Sequence, residues 1–367
     1  ERFKPQHGLS QALSAYAPGR KVWVNGEKYY SFGIYSTHSQ DRSKAWSTKR
    51  VYFECVNCGF AFTSEDEDVR VGSSRDCEAC NGKATLGPGI VWFRPPGFCH
   101  PPDIKRQEAL DDARMTRATH AKLSSDLAQT GTLHFQKEPG GSAGVSVWSS
   151  RQQLLVTNVG TKDPRQAGFR YCALCGRVEP NGWPKSVFDG ESHSKPYPTS
   201  RLKDGVCKGH PTPLVLGNEF FTDIALFRFC LKDGLLLPPG SVVCNIAMTT
   251  LAHALSSAAA GLLDVELSDI RGEHRVALTQ GGATGRDVEV FLYDLSPGGA
   301  GFVRAAAERT EDVLEATKAL LSNCDCERSC YRCLRSFQNK WDHPNLDRHL
   351  ALAVLDSCLN GVDPEVP

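Results

Sequence analysis

The chain has 367 residues, of which 40% are hydrophobic and 23% charged, and its 42 basic residues are balanced by 42 acidic ones. That length predicts two or three domains, and the charge balance excludes a molecule drawn to nucleic acid by its overall field, so any such contact must come from local patches. No run reaches the roughly 18 to 20 apolar residues of a membrane helix, the start Glu1-Arg2-Phe3-Lys4-Pro5 is not a secretory leader, and the methionines are Met115 and Met248. The expectation is a fragment of a longer protein.

In chain order, Leu9 to Tyr16 has helical spacing and is stopped by Pro18-Gly19. Residues 20–36 alternate around Asn25-Gly26, a two-residue hairpin signal. Val51–Glu54 and Ile90–Phe93 read as strands flanking a cysteine-rich module, and residues 94–102 as a turn-rich linker. Residues 103–130 are polar, a surface helix or a loop. Residues 144–159 predict a second hairpin. A second cysteine module at 170–211 contains a 31-residue insert rich in Pro, Ser and Lys, expected to be an exposed loop. From Phe220 the character changes: a strand to Phe229, an Ala/Leu-rich helix over Val242–Leu263, a hairpin around Arg271-Gly272, a buried strand over Val288–Leu295, a helix carrying Val313, Leu314, Thr317, Leu320 and Leu321 on one face, and a last helix over Leu346–Leu359. The fold class is α+β: two zinc-ribbon-like β modules followed by an α/β domain with a compact four-cysteine site. The predicted domains are 1–100, 101–160, 161–214 and 215–367.

Eleven of the fifteen cysteines and one histidine sort into three four-ligand sets. The first is Cys55, Cys58, Cys77 and Cys80, with 18 residues between its two C-x2-C pairs. The second is Cys172, Cys175, Cys207 and His210. The third is Cys324, Cys326, Cys330 and Cys333. Thiolate and imidazole suit tetrahedral zinc, and four protein ligands leave no open position, so these sites read as structural. Such spacing in a long chain without a leader points to a reducing cytoplasm rather than to disulfides. An iron–sulfur cluster on the third set and a redox C-x2-C remain alternatives. Cys230, Cys244 and Cys358 lie in apolar patterns and belong to the core; Cys99-His100 is a turn or a spare ligand pair.

Asp294 precedes Gly298-Gly299-Ala300-Gly301 between strand and helix, a phosphate cradle or a tight turn that needs glycine. No G-x4-G-K-[ST] motif is present, and Gly281 to Arg286 reads as a loop. Asp264, Glu266, Asp269 and Asp294 are the one candidate carboxylate set for a metal-dependent nuclease. His253 reads as a core histidine. Two basic patches interleave with aromatics: Arg42, Lys44, Lys49 and Arg50 around Trp46, and Arg328, Arg332, Arg335, Lys340 and Arg348 around Tyr331, Phe337 and Trp341. No catalytic residue set emerges.

Tyr293-Asp294, then Pro297-Gly298-Gly299-Ala300-Gly301, a helix, Cys324-x-Cys326-x3-Cys330-x2-Cys333-Leu334 and a closing helix resemble the MrfA-like zinc-binding region at the C-terminus of large superfamily 2 DEAD/DEAH-box helicases. Asn218-Glu219-Phe220-x-Thr222-Asp223 and Ala12-Leu13-Ser14-x-Tyr16-Ala17-Pro18-Gly19 fit the same family. Its members include MrfA-type repair helicases and phage-defence relatives such as DISARM DrmB and the Druantia helicase. The resemblance implies DNA, single- or double-stranded, as partner and an ATP-driven motor supplied elsewhere in the polypeptide or by another subunit. About three Zn2+ ions per chain are expected. Arg328, Arg332, Arg335, Tyr331 and Trp341 are the candidate nucleic-acid contacts. The rival readings are a protein-interaction scaffold without DNA contact and a cryptic nuclease.

Overall fold

The computed structural model describes residues 6–65, 70–101, 118–140, 143–160, 168–183, 186–197, 205–232, 237–278, 287–296 and 298–362. Helix α1 (Leu9–Ala15) buries Ala12 and Leu13. The predicted hairpin follows: Asn25 and Gly26 take φ of 51° and 77° and join β1 (Lys21–Val24) to β2 (Glu27–Tyr30), the positive angles a two-residue turn between twisted strands requires. After β3 (Gly33–Ile34) and α2 (Ser39–Ser47), strand β4 (Arg50–Glu54) pairs antiparallel with β5 (Ala61–Ser64) and β6 (Ile90–Phe93) around the first cysteine module. Strand β7 (Phe98–Cys99) returns to β3.

Of the polar stretch at 103–130, residues 103–117 lie outside the described residues; the remainder ends in α3 (Leu127–Thr130), capped by Asp126, whose carboxylate accepts from Ala128 N. The hairpin expected at 144–159 is a single 16-residue strand, β9 (Ala143–Asn158), whose hairpin partner is β8 (Thr132–Gly140). Ser149 to Gln153 mimic a turn in composition, but they pair residue by residue with the Phe221–Ala225 stretch of the neighbouring strand. Next come β10 (Phe169–Tyr171), β11 (Val178–Pro180), β12 (His193–Ser194), β13 (Val206–Cys207) and β14 (Thr212–Cys230), nine residues longer than the strand expected there.

Helix α4 (Val242–Leu263) has the predicted bounds, starts on a Ser241 hydroxyl cap and ends at Asp264 with φ 53°. By length and composition it is apolar enough to cross a membrane, which the sequence reading had excluded; here Met248, Leu251, Leu255 and Ala259 are buried against the sheet and helices. The hairpin expected around Arg271-Gly272 is also a single strand, β15 (Ile270–Val276), paired with β16 (Asp287–Asp294). Gly272 is needed for contact rather than for a turn: a Cβ there would run into the Ala252 carbonyl of α4. Gly281 to Arg286 and Pro297 lie outside the described residues. Helices α5 (Phe302–Glu308), α6 (Thr310–Ser322) and α7 (Arg348–Asn360) complete the chain.

This is an α+β fold. Ten strands form one sheet, and β14 is its spine, parallel to β6 and antiparallel to β9, β10 and β16. Period-two alternation sorts its side chains: Ala225, Phe227 and Phe229 join the core under α4–α7, while Ile224 and Leu226 face the second core with α1. Strands from all four predicted segments enter this sheet.

A buried charge cluster pins it. The Glu289 carboxylate, fully buried, accepts from Arg228 Nε at 2.7 Å and Arg275 Nε at 2.7 Å. Glu289→Ala removes the carboxylate both guanidinium groups share, leaving Arg275 with backbone carbonyls and Arg228 with Asp126 at 3.6 Å. We expect a loss of about 3 to 5 kcal/mol in a urea titration, with Glu289→Gln losing less; an unchanged midpoint would show that the cluster is dispensable.

Candidate metal centres and nucleic-acid face

Three clusters bring four ligand atoms within 4.8 Å of one another: Cys55, Cys58, Cys77 and Cys80; Cys172, Cys175, His193 and Cys207; and Cys324, Cys326, Cys330 and Cys333. In the first, Cys55 Sγ lies 3.7 Å from Cys80 Sγ, and Cys58 Sγ 3.7 Å from Cys77 Sγ. In the third, Cys324–Cys330 and Cys326–Cys333 are both 3.6 Å apart. A tetrahedron with Zn–S bonds of about 2.3 Å has edges of about 3.8 Å, and a disulfide would need sulfurs about 2.05 Å apart. The donor sets therefore fit a thiolate-bound tetrahedral ion. All fifteen cysteines are free thiols.

The second cluster corrects the sequence reading. His210 is exposed, and the fourth ligand position belongs to His193, 6% exposed, with Nε2 3.3 Å from Cys175 Sγ. The two-residue ladder β12–β13 sets His193 opposite Cys207, and Phe188 packs its ring edge to face at 4.7 Å. The insert expected to be a loop thus supplies a ligand. Cys207-Lys-Gly-His210 imitates a knuckle because the turn is real: Gly209 N donates to Cys207 Sγ at 3.3 Å. Only its last side chain points away.

Backbone N–H groups face the sulfurs in all three centres, as thiolates require. Arg177 N donates to Cys175 Sγ at 3.4 Å, Arg332 N to Cys330 Sγ at 3.4 Å, and Cys330 N to Cys333 Sγ at 3.3 Å. Gly176, at φ 90°, turns the second knuckle where a side chain would meet the Ile34 carbonyl. The Arg332 N–H draws the Cys330 thiol down to about 7, and hydrogen bonding from the Cys175 thiol holds Cys172 down to about 4. Burial pushes Cys77 up to about 11 and Cys326 up to about 12. Four sulfurs so close cannot all ionise without a cation among them.

The glycine loop is settled by Asp294. Its side chain, fully buried, accepts from Ala300 N and Gly301 N at 2.7 Å, Phe302 N at 3.2 Å and Val303 N at 3.0 Å. The chain's own carboxylate fills the start of α5, where a phosphate would sit. The candidate nuclease set is not assembled: Asp294 is spent on this cap, and among the described residues Asp264, Glu266, Asp269 and Asp294 form no metal-holding group. His253 is engaged with Asp342, Nε2 to Oδ2 at 3.1 Å.

The basic patches divide into inward and outward cations. Arg328 Nε holds Asp347 Oδ2 at 3.0 Å, Arg335 Nε holds Ser329 Oγ at 3.0 Å, and Arg348 Nε holds the Cys326 carbonyl at 2.8 Å. Arg42 holds the carbonyls of Ala173 and Leu174 in the second knuckle, and Arg50 pairs with Glu219 at 2.6 Å. Arg332 and Lys340 are exposed. So are Tyr331, Phe337 and Trp341, at 72%, 76% and 55%, with Lys340 Nζ 4.2 Å from the Phe337 ring centroid and 5.2 Å from that of Trp341.

The α+β chain thus carries three four-ligand clusters whose donor sets suit zinc, the third following a carboxylate-capped glycine loop. Residues 251–334 match the MrfA Zn-binding domain family; the chain carries an MrfA-like zinc-binding region related to helicases. It is 29% identical over 378 aligned residues to the Druantia protein DruE of Escherichia coli (strain UMEA 4076-1), covering 98% of this chain and 20% of that protein. The chain thus spans about one fifth of the length of this curated relative. Among solved structures, the DUF1998 helicase MrfA bound to DNA aligns at 16% identity and a TM-score of 0.37, covering 66% of this chain and 25% of that one. The same helicase bound to DNA and AMPPNP aligns at 15% and 0.29, covering 59% and 23%.

Proposed function

We propose that this chain is the zinc-stabilised accessory region of an ATP-dependent nucleic-acid helicase, guiding or clamping DNA beside a motor that lies elsewhere in the same polypeptide or in a partner subunit. Three Zn2+ ions occupy the three clusters, with His193 as the nitrogen ligand. The relation to a Druantia protein favours bacterial defence over repair, and the paired-cysteine spacing, which suits metal sites rather than disulfides, favours the cytoplasm. The observation that carries the reading is the surface over the third cysteine cluster, where three exposed rings and two exposed cations stand on a loop that the cluster fixes. Rings stack on bases, and Arg332 and Lys340 reach phosphates. Arg328 and Arg335, bound to Asp347 and Ser329, position this loop.

Anisotropy of a labelled oligonucleotide across a NaCl series tests it. Phe337→Ala with Trp341→Ala should weaken binding at least tenfold, since base–aromatic stacking is worth about 1 to 3 kcal/mol per base. Arg332→Ala should flatten the dependence of log K on log salt by about 1. Binding indifferent to all three substitutions, or no binding at all, would overturn the reading in favour of a protein-interaction scaffold, which the neutral net charge also suits.

A further inference from the structure

Residues 118–126 touch several separate parts of the molecule. Ala118 N donates to Ser14 Oγ of α1 at 2.9 Å. Lys122 pairs through its backbone with Leu155 of β9, at 2.8 and 3.0 Å, while its ammonium holds Glu54 and, at 3.3 Å, the Gly59 carbonyl of the first knuckle. Arg275 Nη1 reaches the Leu123 and Ser125 carbonyls at 3.0 and 2.7 Å. On the other side, His120 Nδ1 meets Glu273 Oε1 at 2.9 Å, and its Nε2 lies 3.7 Å from Asp342 Oδ1. Asp342 uses its other oxygen on His253 of α4. Its backbone N donates to Asn339 O, and Asn339 Nδ2 in turn holds the Leu334 carbonyl next to Cys333.

The result is an alternating chain of carboxylate and imidazole, Glu273–His120–Asp342–His253, joining β15, the segment 118–126, the turn after the third cysteine cluster and α4. It borders a cavity of about 110 Å³ lined also by Thr249 and His274. We propose that residues 118–126 are a strap coupling the first and third metal modules, fastened at the third by His120 between Glu273 and Asp342 and released there when His120 loses its proton.

The groups facing His120 fix the sign. Glu273 first, then Asp342, push it up to about 9 against partial desolvation by its neighbours and the charge of Lys122. Burial pushes His274 down to about 4, so it stays neutral beside the chain and adds no opposing charge. A histidine raised on folding contributes fully below its unfolded value near 6.5 and is lost as pH rises through the folded one. The His120 side chain is 63% exposed, and solvent screening draws the release below 9. The window is therefore between about 6.5 and 9.

Hydrogen–deuterium exchange on the metal-loaded chain at pH 6 and pH 9.5, corrected for intrinsic rates, tests the strap. In the wild type, protection of residues 118–126 and of the first knuckle, 55–59, should fall at least tenfold between the two. His120→Gln should show the low protection at both pH values, and His120→Arg, charged throughout, the high protection at both. A wild type equally protected at both pH values overturns the proton-dependent release. A fall confined to 118–121 that leaves 55–59 unchanged overturns the coupling. If His120→Gln also exposes α4, the charged variant and the wild-type pH pair decide.

Discussion

His193→Ala should remove one metal ion per chain, and His210→Ala should remove none. Structural zinc contributes on the order of 10 kcal/mol to folding in small modules, and in the second module little else is available: its buried cluster is three cysteines and Phe188. The variant should therefore lose its ion, expose Cys172, Cys175 and Cys207 to thiol reagents and release strands β12 and β13. Strand β10 should hold, because β14 pairs it into the sheet at Phe169, Arg170 and Tyr171. Native mass spectrometry with elemental analysis reads the outcome directly, with three zinc ions expected in the wild type and two in His193→Ala. Loss of an ion from His210→Ala instead would restore the ligand set that the spacing suggested, and iron in any site would replace the structural reading with a cluster.

The contrast between these two histidines shows what a sequence reveals here. Knuckle turns are local, so the C-x2-C pairs and the compact third set announce themselves through spacing. His193 reaches its site through pairing with residues 206–207 across the insert, and no local spacing encodes that partner. Strand register is hidden for the same reason. Ser149 to Gln153 and Arg271-Gly272 carry turn composition, yet both run through as strand because β14 and β16 pair with them residue by residue and α4 needs a glycine beneath Ala252. Helix α4, whose signal is its own continuous pattern, came out with correct ends. The cations of the two basic patches were visible, but not their direction, since the acceptors of Arg42 and Arg348 are carbonyls far away in sequence.

Asp294→Ala should cost about 3 to 5 kcal/mol. The side chain accepts four backbone N–H groups at the start of α5, each a charge-assisted bond worth roughly 1.5 to 3 kcal/mol and far from additive. Alanine leaves those partly buried donors without their acceptor and frees the loop from the end of β16. Asn, with one acceptor oxygen, should recover part of the loss. Urea midpoints for the three proteins measure this order. Wild-type stability in Asp294→Ala would mean that the loop holds its shape without the carboxylate, and would reopen the start of α5 as an anion site.

Strand β14 has a consequence for the order in which the molecule can be made. Its nineteen residues bridge β6, more than a hundred positions upstream, and β16, over fifty positions downstream. The central sheet cannot close on a ribosome until the Asp287–Asp294 strand has emerged, and such distant pairings are slow to find. The first two metal clusters need only partners within a few dozen residues, so each can be complete while the spine is still unmade. Exposed strand edges wait in the interval, and a cell short of zinc would lengthen that wait. Yield of folded chain should depend on zinc supply during synthesis more steeply than the stability of the finished molecule does afterwards.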